Sequence, residues 1–396
     1  MAEGPSMLSE QAKQEVQEAA KGGIAMLKEY MSKKNDEWKE IPLNIGITGE
    51  SGVGKSSFIN AIRNVTADDE GGAHVDNVEA TRHIKKYYHP SNKNLAFWDL
   101  PGVGTPNFPR ATYLTTVKFE QFDFFLIFSA ARFREDDLWL AKEIRKLGKK
   151  FHFVRTQMEV EVEKDKKGHP KTHTRDKVID NIRKDCEKNV EKHGLTGATV
   201  FLIDNYAPLD FDFNTLSTTL IDEAPMHKKE AMTLSLSVLT KGVIERKVES
   251  LKKRIWGIAI VSAAGGGIPI PGLSAVVDGA LLLEELLFYK KQFGLDDKTM
   301  EEHARLLATE TDQLKKKLGL QSTLLATTAR GIVQAISGMV ASEAIESTLP
   351  IVLPLIGSII SAGISYGITV AGLRHILKLC ADDALKINNE LVKVAL

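Results

Sequence analysis

Short apolar runs alternate with amphipathic stretches from residue 41 to about 225, and there the rhythm stops. The runs at 43–48, 83–89, 95–99, 122–129, 151–156 and 199–203 are short and rich in β-branched and aromatic residues, which predicts strands. Between them, 55–64, 110–120, 134–147 and 174–193 space their apolar residues as helices do. Residues 161–175 are densely charged with no apolar rhythm and predict an exposed loop. Alternating β and α elements predict a mainly parallel sheet with helices on both faces. Upstream, 8–37 is polar and helix-prone. Its Ala12, Val16, Ala19, Ala20, Ile24, Met26 and Leu27 form one face of an amphipathic helix that docks on another element.

After Pro225 strand-like runs disappear and helix-forming stretches continue to the end. Two are unusually apolar. One, 255–283, contains Gly-Gly-Gly-Ile-Pro-Ile-Pro-Gly at 265–272; the other, 347–373, has no Asp, Glu, Lys or Arg. A window as long as the second could span a bilayer. Pro350, Pro354, Gly357, Gly363, Gly367 and Gly372 favour buried helices that approach closely, with membrane insertion as the other reading. The expected organisation is α/β plus all-α: an N-terminal helical segment 1–40, an α/β domain 41–225 and a helical domain 226–396.

Composition narrows the partners. A chain of 396 residues exceeds one ordinary core. Lys plus Arg equals Asp plus Glu at 52 each, so no global field calls for nucleic acid. Cys186 and Cys380 lie far apart and suggest buried thiols in a reducing compartment. The N-terminus lacks a basic apolar signal, and Ala2 stands where N-myristoylation needs glycine, which predicts a cytoplasmic protein.

The candidate chemistry is concentrated after the first strand. Gly49-Glu50-Ser51-Gly52-Val53-Gly54-Lys55-Ser56 fits G-x-x-x-x-G-K-[ST], and a helical stretch starts with Ser57. Such a loop turns consecutive N–H groups toward phosphate oxygens, Lys55 adds a point charge, and Ser56 offers a hydroxyl to Mg²⁺. Lys55 has no expected role in the core. Asp99-Leu100-Pro101-Gly102 follows another apolar run; Asp99 suits Mg²⁺, and the Gly102 N–H suits a γ-phosphate. At this distance from the loop the motif points to a GTPase. Thr81, in Val78-Glu79-Ala80-Thr81, is a candidate Mg²⁺ ligand on a switch loop, although a plain loop threonine fits equally. No glutamine follows Gly102, so the usual water-orienting residue is missing and slow hydrolysis by the monomer follows.

Base reading departs from pattern. Where a GTPase carries [N/T]-K-x-D, this chain has Thr156-Gln157-Met158-Glu159. Glutamate keeps the charge but adds a methylene, and a strained hydrogen bond there could cost ~1–3 kcal/mol. The alternative is that the segment has lost base selectivity.

These residues, with Asn107-Phe108-Pro109, Ser129-Ala130-Ala131-Arg132-Phe133, Asp210-Phe211-Asp212-Phe213, Pro225-Met226-His227-Lys228-Lys229 and Phe293-Gly294-Leu295-Asp296, resemble the immunity-related GTPases, an interferon-inducible family, over nearly the whole chain. The resemblance implies a Ras-like GTPase domain and a composite helical domain built from the N-terminal segment and the C-terminal third. It implies GTP, GDP and Mg²⁺ as ligands, and GTP-dependent self-assembly through GTPase domains on vacuoles of intracellular pathogens. Lys55 places the chain with the lysine-bearing effector branch. There, a glutamate two residues before the switch threonine, here Glu79, supports catalysis in trans. Partners implied are the chain itself, related family GTPases and, peripherally, intracellular membranes. Asp204-Asn205 stands where Ser-Asn is usual, and with Gln157 and Glu159 it forms the altered base-binding set. The competing reading is a pseudo-GTPase scaffold with weakened guanine recognition.

Overall fold

The computed structural model describes residues 15, 18–19, 21–22, 24–75, 83–207, 210–236, 240–266, 273–325 and 360–395. The chain divides into two compact units, one joining Met1–Trp38 to Ile244–Val394 and the other formed by Lys39–Val243.

The second unit is built on a six-stranded sheet: β1 (Leu43–Gly49), β2 (Lys85–His89), β3 (Asn92–Asp99), β4 (Phe124–Ser129), β5 (Lys150–Arg155) and β6 (Val200–Leu202). The strand order is β2-β3-β1-β4-β5-β6, with β2 antiparallel to β3 and every other pair parallel. This is the Ras-like arrangement expected from the sequence. β1 and β4 sit in the middle, covered on both faces, so β4 buries all six residues of Phe-Phe-Leu-Ile-Phe-Ser.

Helices α2 (Lys55–Arg63), α3 (Arg110–Thr116), α4 (Glu135–Lys146), α5 (Met158–Gly168), α6 (Arg175–Lys192), α7 (Phe213–Glu223) and α8 (Met226–Ser235) belong to this unit; α1 (Ile24–Asp36) precedes it. Phe58 of α2 packs on Phe128 of β4 and Phe213 of α7, with ring centroids 5.0 and 5.6 Å apart. A separate cluster gathers Leu100, Tyr113, Phe122, Phe125, Phe133, Leu138 and Phe153. Helix α8 stays with the sheet, where Lys228 pairs with Asp123 at 2.8 Å.

One local expectation fails. Of the stretch 161–175 read as a loop, residues 161–168 are helical, as part of Met158–Gly168. Only Met158 and Val162 are buried, so no apolar stripe marks the helix. Pairs three residues apart, Lys164–Glu161 at 2.9 Å and Lys166–Glu163 at 3.5 Å, support it instead.

In the first unit, α1 lies with α9 (Lys241–Gly266), α10 (Leu273–Gln292), α11 (Asp297–Leu306), α12 (Thr311–Leu318) and α13 (Ile360–Ala395). Arg254 joins three of them. It donates to Asn35 O at 2.9 Å, pairs with Asp36 at 3.4 Å and Glu285 at 2.7 Å, and lies over the Phe288 ring. Both cysteines are free and buried. Of the 347–373 segment, 347–359 lies outside the described residues and the remainder begins α13. No helix among the described residues is long and apolar enough to cross a membrane.

The Arg254–Glu285 pair makes a direct stability prediction. Glu285 is buried, so Arg254→Met leaves a carboxylate without its partner and should cost about 3–5 kcal/mol in urea unfolding. A loss below about 1 kcal/mol, the range of an exposed pair, would contradict this placement.

Candidate functional site

Parallel strands bring the predicted motifs together. β1 has β3 on one side and β4 on the other, and its carboxyl end opens into the loop 50–54 at the topological switch point. Gly49 ends β1 at φ 143°, and a side chain there would put its Cβ 2.3 Å from Phe128 O. Gly54 caps α2 in the left-handed region at φ 87°. Both positions require glycine.

Three side chains from neighbouring strand ends hold this loop. Thr156 Oγ1 donates to Val53 O at 2.7 Å, Gln157 Nε2 to Gly52 O at 2.9 Å, and Asn205 Nδ2 to Gly54 O at 2.9 Å. Gln157 thus takes up a structural contact with the loop, and its own backbone sits in the left-handed region at φ 58°. Asp204, another predicted ligand contact, is buried. Its two oxygens accept from the Glu159 and Tyr206 N–H groups at 3.1 and 3.0 Å, so it shapes the turn beneath the base-reading segment.

Lys55 is 4 % exposed and donates to Gly49 O at 2.9 Å and Glu50 O at 2.8 Å. The expectation that it lacks a role in the core is therefore corrected: its ammonium staples the loop, leaving one of three donors for a phosphate. Burial lowers its pKa from the usual lysine value, against the pull of Asp99, Asp137 and Glu50. Ser56 Oγ donates to Asp99 Oδ2 at 3.0 Å. A hydroxyl and a carboxylate side by side form an all-oxygen donor set suited to a hard divalent cation. Ser51 and Gly52 are exposed at the loop tip, and Ser57 is half-buried on the first turn of α2. Glu79 and Thr81 lie outside the described residues.

Gly102 lies against the loop, where a Cβ would come within 3.1 Å of Gly49 O. Its approach is fixed by a residue that sequence reading missed. The buried Tyr113 hydroxyl donates to Pro101 O at 2.8 Å and lies 2.8 Å from Thr48 Oγ1. Only a rotor buried beneath the Asp99–Gly102 turn reveals that role, and no spacing rule marks it. Arg134, at the start of α4, pairs with Glu50. Asp137 accepts the Arg134 N–H at 3.0 Å and caps that helix.

With this geometry in place, the chain matches the Interferon-inducible GTPase (IIGP) family over residues 9–353. The chain belongs to that family. Interferon-gamma-inducible GTPase 10 of Mus musculus is 40% identical over 281 residues, 71% of this chain and 67% of the relative. Interferon-inducible GTPase 1 of the same species is 37% identical, covering 74% and 71%. Interferon-inducible GTPase 5 of Rattus norvegicus is 34% identical over 352 residues, 87% of this chain and 74% of the relative. As a family member the chain is a GTP-binding GTPase with a role in immunity. Among solved structures, Era in complex with MgGDPNP and a 16S ribosomal RNA segment aligns over 56% of this chain and 67% of that one, at 14% identity and a TM-score of 0.31. The fold assignment rests on the strand order and not on that likeness.

Two predictions follow from the site. Lys55→Ala should weaken GDP binding by roughly 10–100-fold, the loss of about 1.5–3 kcal/mol for a charged hydrogen bond, while circular dichroism shows a folded chain. Unchanged affinity would sink the role of this loop. The second concerns pH. Burial pushes the Asp137 carboxyl up to about 6; the Arg134 N–H opposes this, and Glu50 and Asp136 add to it. Between the ordinary value of 3.8 and about 6, the folded chain holds a proton that the unfolded chain has released. Stability from this group therefore falls as pH rises through that window and is level above it, by up to about 3 kcal/mol. Asp137→Asn keeps the capping oxygen and cannot ionise. Its stability relative to native should rise by up to about 3 kcal/mol from pH ~4 to pH ~7 in denaturant titrations; a constant difference would contradict the assignment.

Proposed function

We propose that this GTPase is a nucleotide-gated, self-assembling protein of cell-autonomous innate immunity that acts at the membranes of pathogen-containing vacuoles. The observation that carries this reading is an asymmetry in the site. The phosphate side is built in full, with Lys55 and the tethered loop, while the residues after Gly102 are Val103, whose side chain is buried, and Gly104. Neither can orient a water molecule. A site that holds phosphates without orienting the attacking water needs a group from outside.

On this reading two chains meet through their GTPase units, and Glu79 of each supports hydrolysis in the other. Ser56, Asp99 and Thr81 would hold Mg²⁺, which would supply positive charge against the phosphates. Gly102 senses the γ-phosphate through its N–H, and Tyr113 sets the resting position of that turn. Thr156, Gln157, Glu159 and Asn205 frame the guanine. Related family GTPases are the other protein partners. The protein is cytoplasmic, and membrane contact is peripheral.

Self-assembly predicts that GTP turned over per molecule rises with protein concentration. Specific activity should climb several-fold over about a hundredfold range, as mass action fills the dimer. A flat profile contradicts assembly-dependent hydrolysis, and a Glu79→Ala variant with native turnover contradicts the trans role of that residue.

A further inference from the structure

Glu159 does not stand alone at the start of α5. Arg175, the first residue of α6, donates from Nη1 to both Glu159 oxygens, at 2.8 and 3.1 Å. Its Nη2 donates to Asp210. The guanidinium lies over the Phe211 ring, 4.7 Å from its centroid. The arginine is thus fixed on three sides: Asp210 on one edge, Phe211 beneath, and Glu159 on the other edge. The flat guanidinium fork suits this geometry, because each contact constrains its plane as well as its position.

We infer that Arg175 is a positioning residue for base recognition, holding the Glu159 carboxylate where guanine is read. This inference rests on the assignment of Glu159 to the base. An aspartate at this position needs little help, because its carboxylate sits one torsion closer to the backbone. A glutamate gains a methylene and a rotatable bond, so an unsupported carboxylate would be spread over several rotamers and would have to be ordered by the ligand. Arg175 orders it beforehand. The pairing does not occupy the carboxylate fully. Each oxygen can accept two hydrogen bonds, and a single guanidinium nitrogen uses one site on each. One site per oxygen remains for the ring N–H and exocyclic amino group of guanine, which donate side by side. Adenine presents no such pair of donors.

The role differs from that of a surface ion pair in what it predicts. Arg175→Met, Arg175→Lys, Glu159→Ala and the double variant Arg175→Met/Glu159→Ala are titrated calorimetrically with GDP and with ADP. Native protein should prefer GDP. Arg175→Met should lose at least about fivefold in GDP affinity, within the range of one bidentate contact, and leave ADP affinity unchanged. The unchanged ADP affinity also reports that the phosphate side is folded. Arg175→Lys, which restores the charge, should recover part of the loss, and Arg175→Met should have no further effect once Glu159 is alanine. Parallel losses for GDP and ADP, tighter GDP binding in Arg175→Met, or the same loss in the Glu159→Ala background would each overturn the inference while leaving the guanine reading in place. Equal affinity of the native protein for GDP and ADP would overturn that reading and this inference together.

Discussion

Three hydrogen bonds from outside the phosphate loop set its shape. Gln157, Thr156 and Asn205 donate to the carbonyls of Gly52, Val53 and Gly54, three consecutive acceptors. A planar trans peptide points its N–H opposite its C=O, and no peptide in the described chain is cis. Turning those carbonyls toward the ends of β5 and β6 therefore turns the N–H groups of Val53, Gly54 and Lys55 the other way. Successive N–H groups presented in that manner form the concave surface that an anion needs. The segment that begins at Thr156 and the loop 50–54 are thus held as one unit, and a change at 156, 157 or 205 reaches the N–H groups of the loop through the backbone.

The same economy governs the opposite wall. Asp99 ends β3 beside Ser56, and the turn that follows carries Gly102 to the edge of the loop. Beneath that turn the buried hydroxyls of Tyr113 and Thr48 lie 2.8 Å apart, and both reach Pro101 O, at 2.8 and 3.2 Å. These polar atoms satisfy one another beside an otherwise apolar cluster. On the proposed function, a γ-phosphate accepting from the Gly102 N–H would pull on the same peptide whose Pro101 carbonyl Tyr113 holds, which would pass nucleotide state outward along this turn. Water orientation is the missing part: Val103 and Gly104, which follow Gly102, have no side chain that could provide it.

Much of this was legible in the sequence. The runs located all six strands of the sheet to within a few residues. The buried parallel strands are apolar along their length and leave a clear signal, while the exposed antiparallel strand β2 is marked by Tyr87 and Tyr88. Pattern singled out the loop, Asp99, Gly102 and Thr156, the family resemblance singled out Asn205, and the fold brings them to one end of the sheet. What escaped had no periodicity to read. Helix α5 is held by charge pairs and two buried residues, so its sequence looks like a loop. Tyr113 and Arg175 act through contacts across the fold, with partners 65 residues away at Thr48 and 35 residues away at Asp210. Asp204, read as a ligand contact, is buried and accepts the Glu159 and Tyr206 N–H groups, a turn-forming role that no pattern marks. Pattern finds residues that meet ligands through local geometry; it does not find those that hold them from behind.

The proposed function stands on a guanine nucleotide site made by the preformed loop and Glu159. Its test is calorimetric titration of GTP, GDP, ATP and XTP into the purified protein with Mg²⁺. Saturable binding of GTP and GDP is expected, with ATP and XTP weaker by at least about fivefold, because neither offers the pair of donors that a carboxylate at 159 would accept. Equal binding of all four would show that the base is not read, and no binding of any would contradict the phosphate site itself.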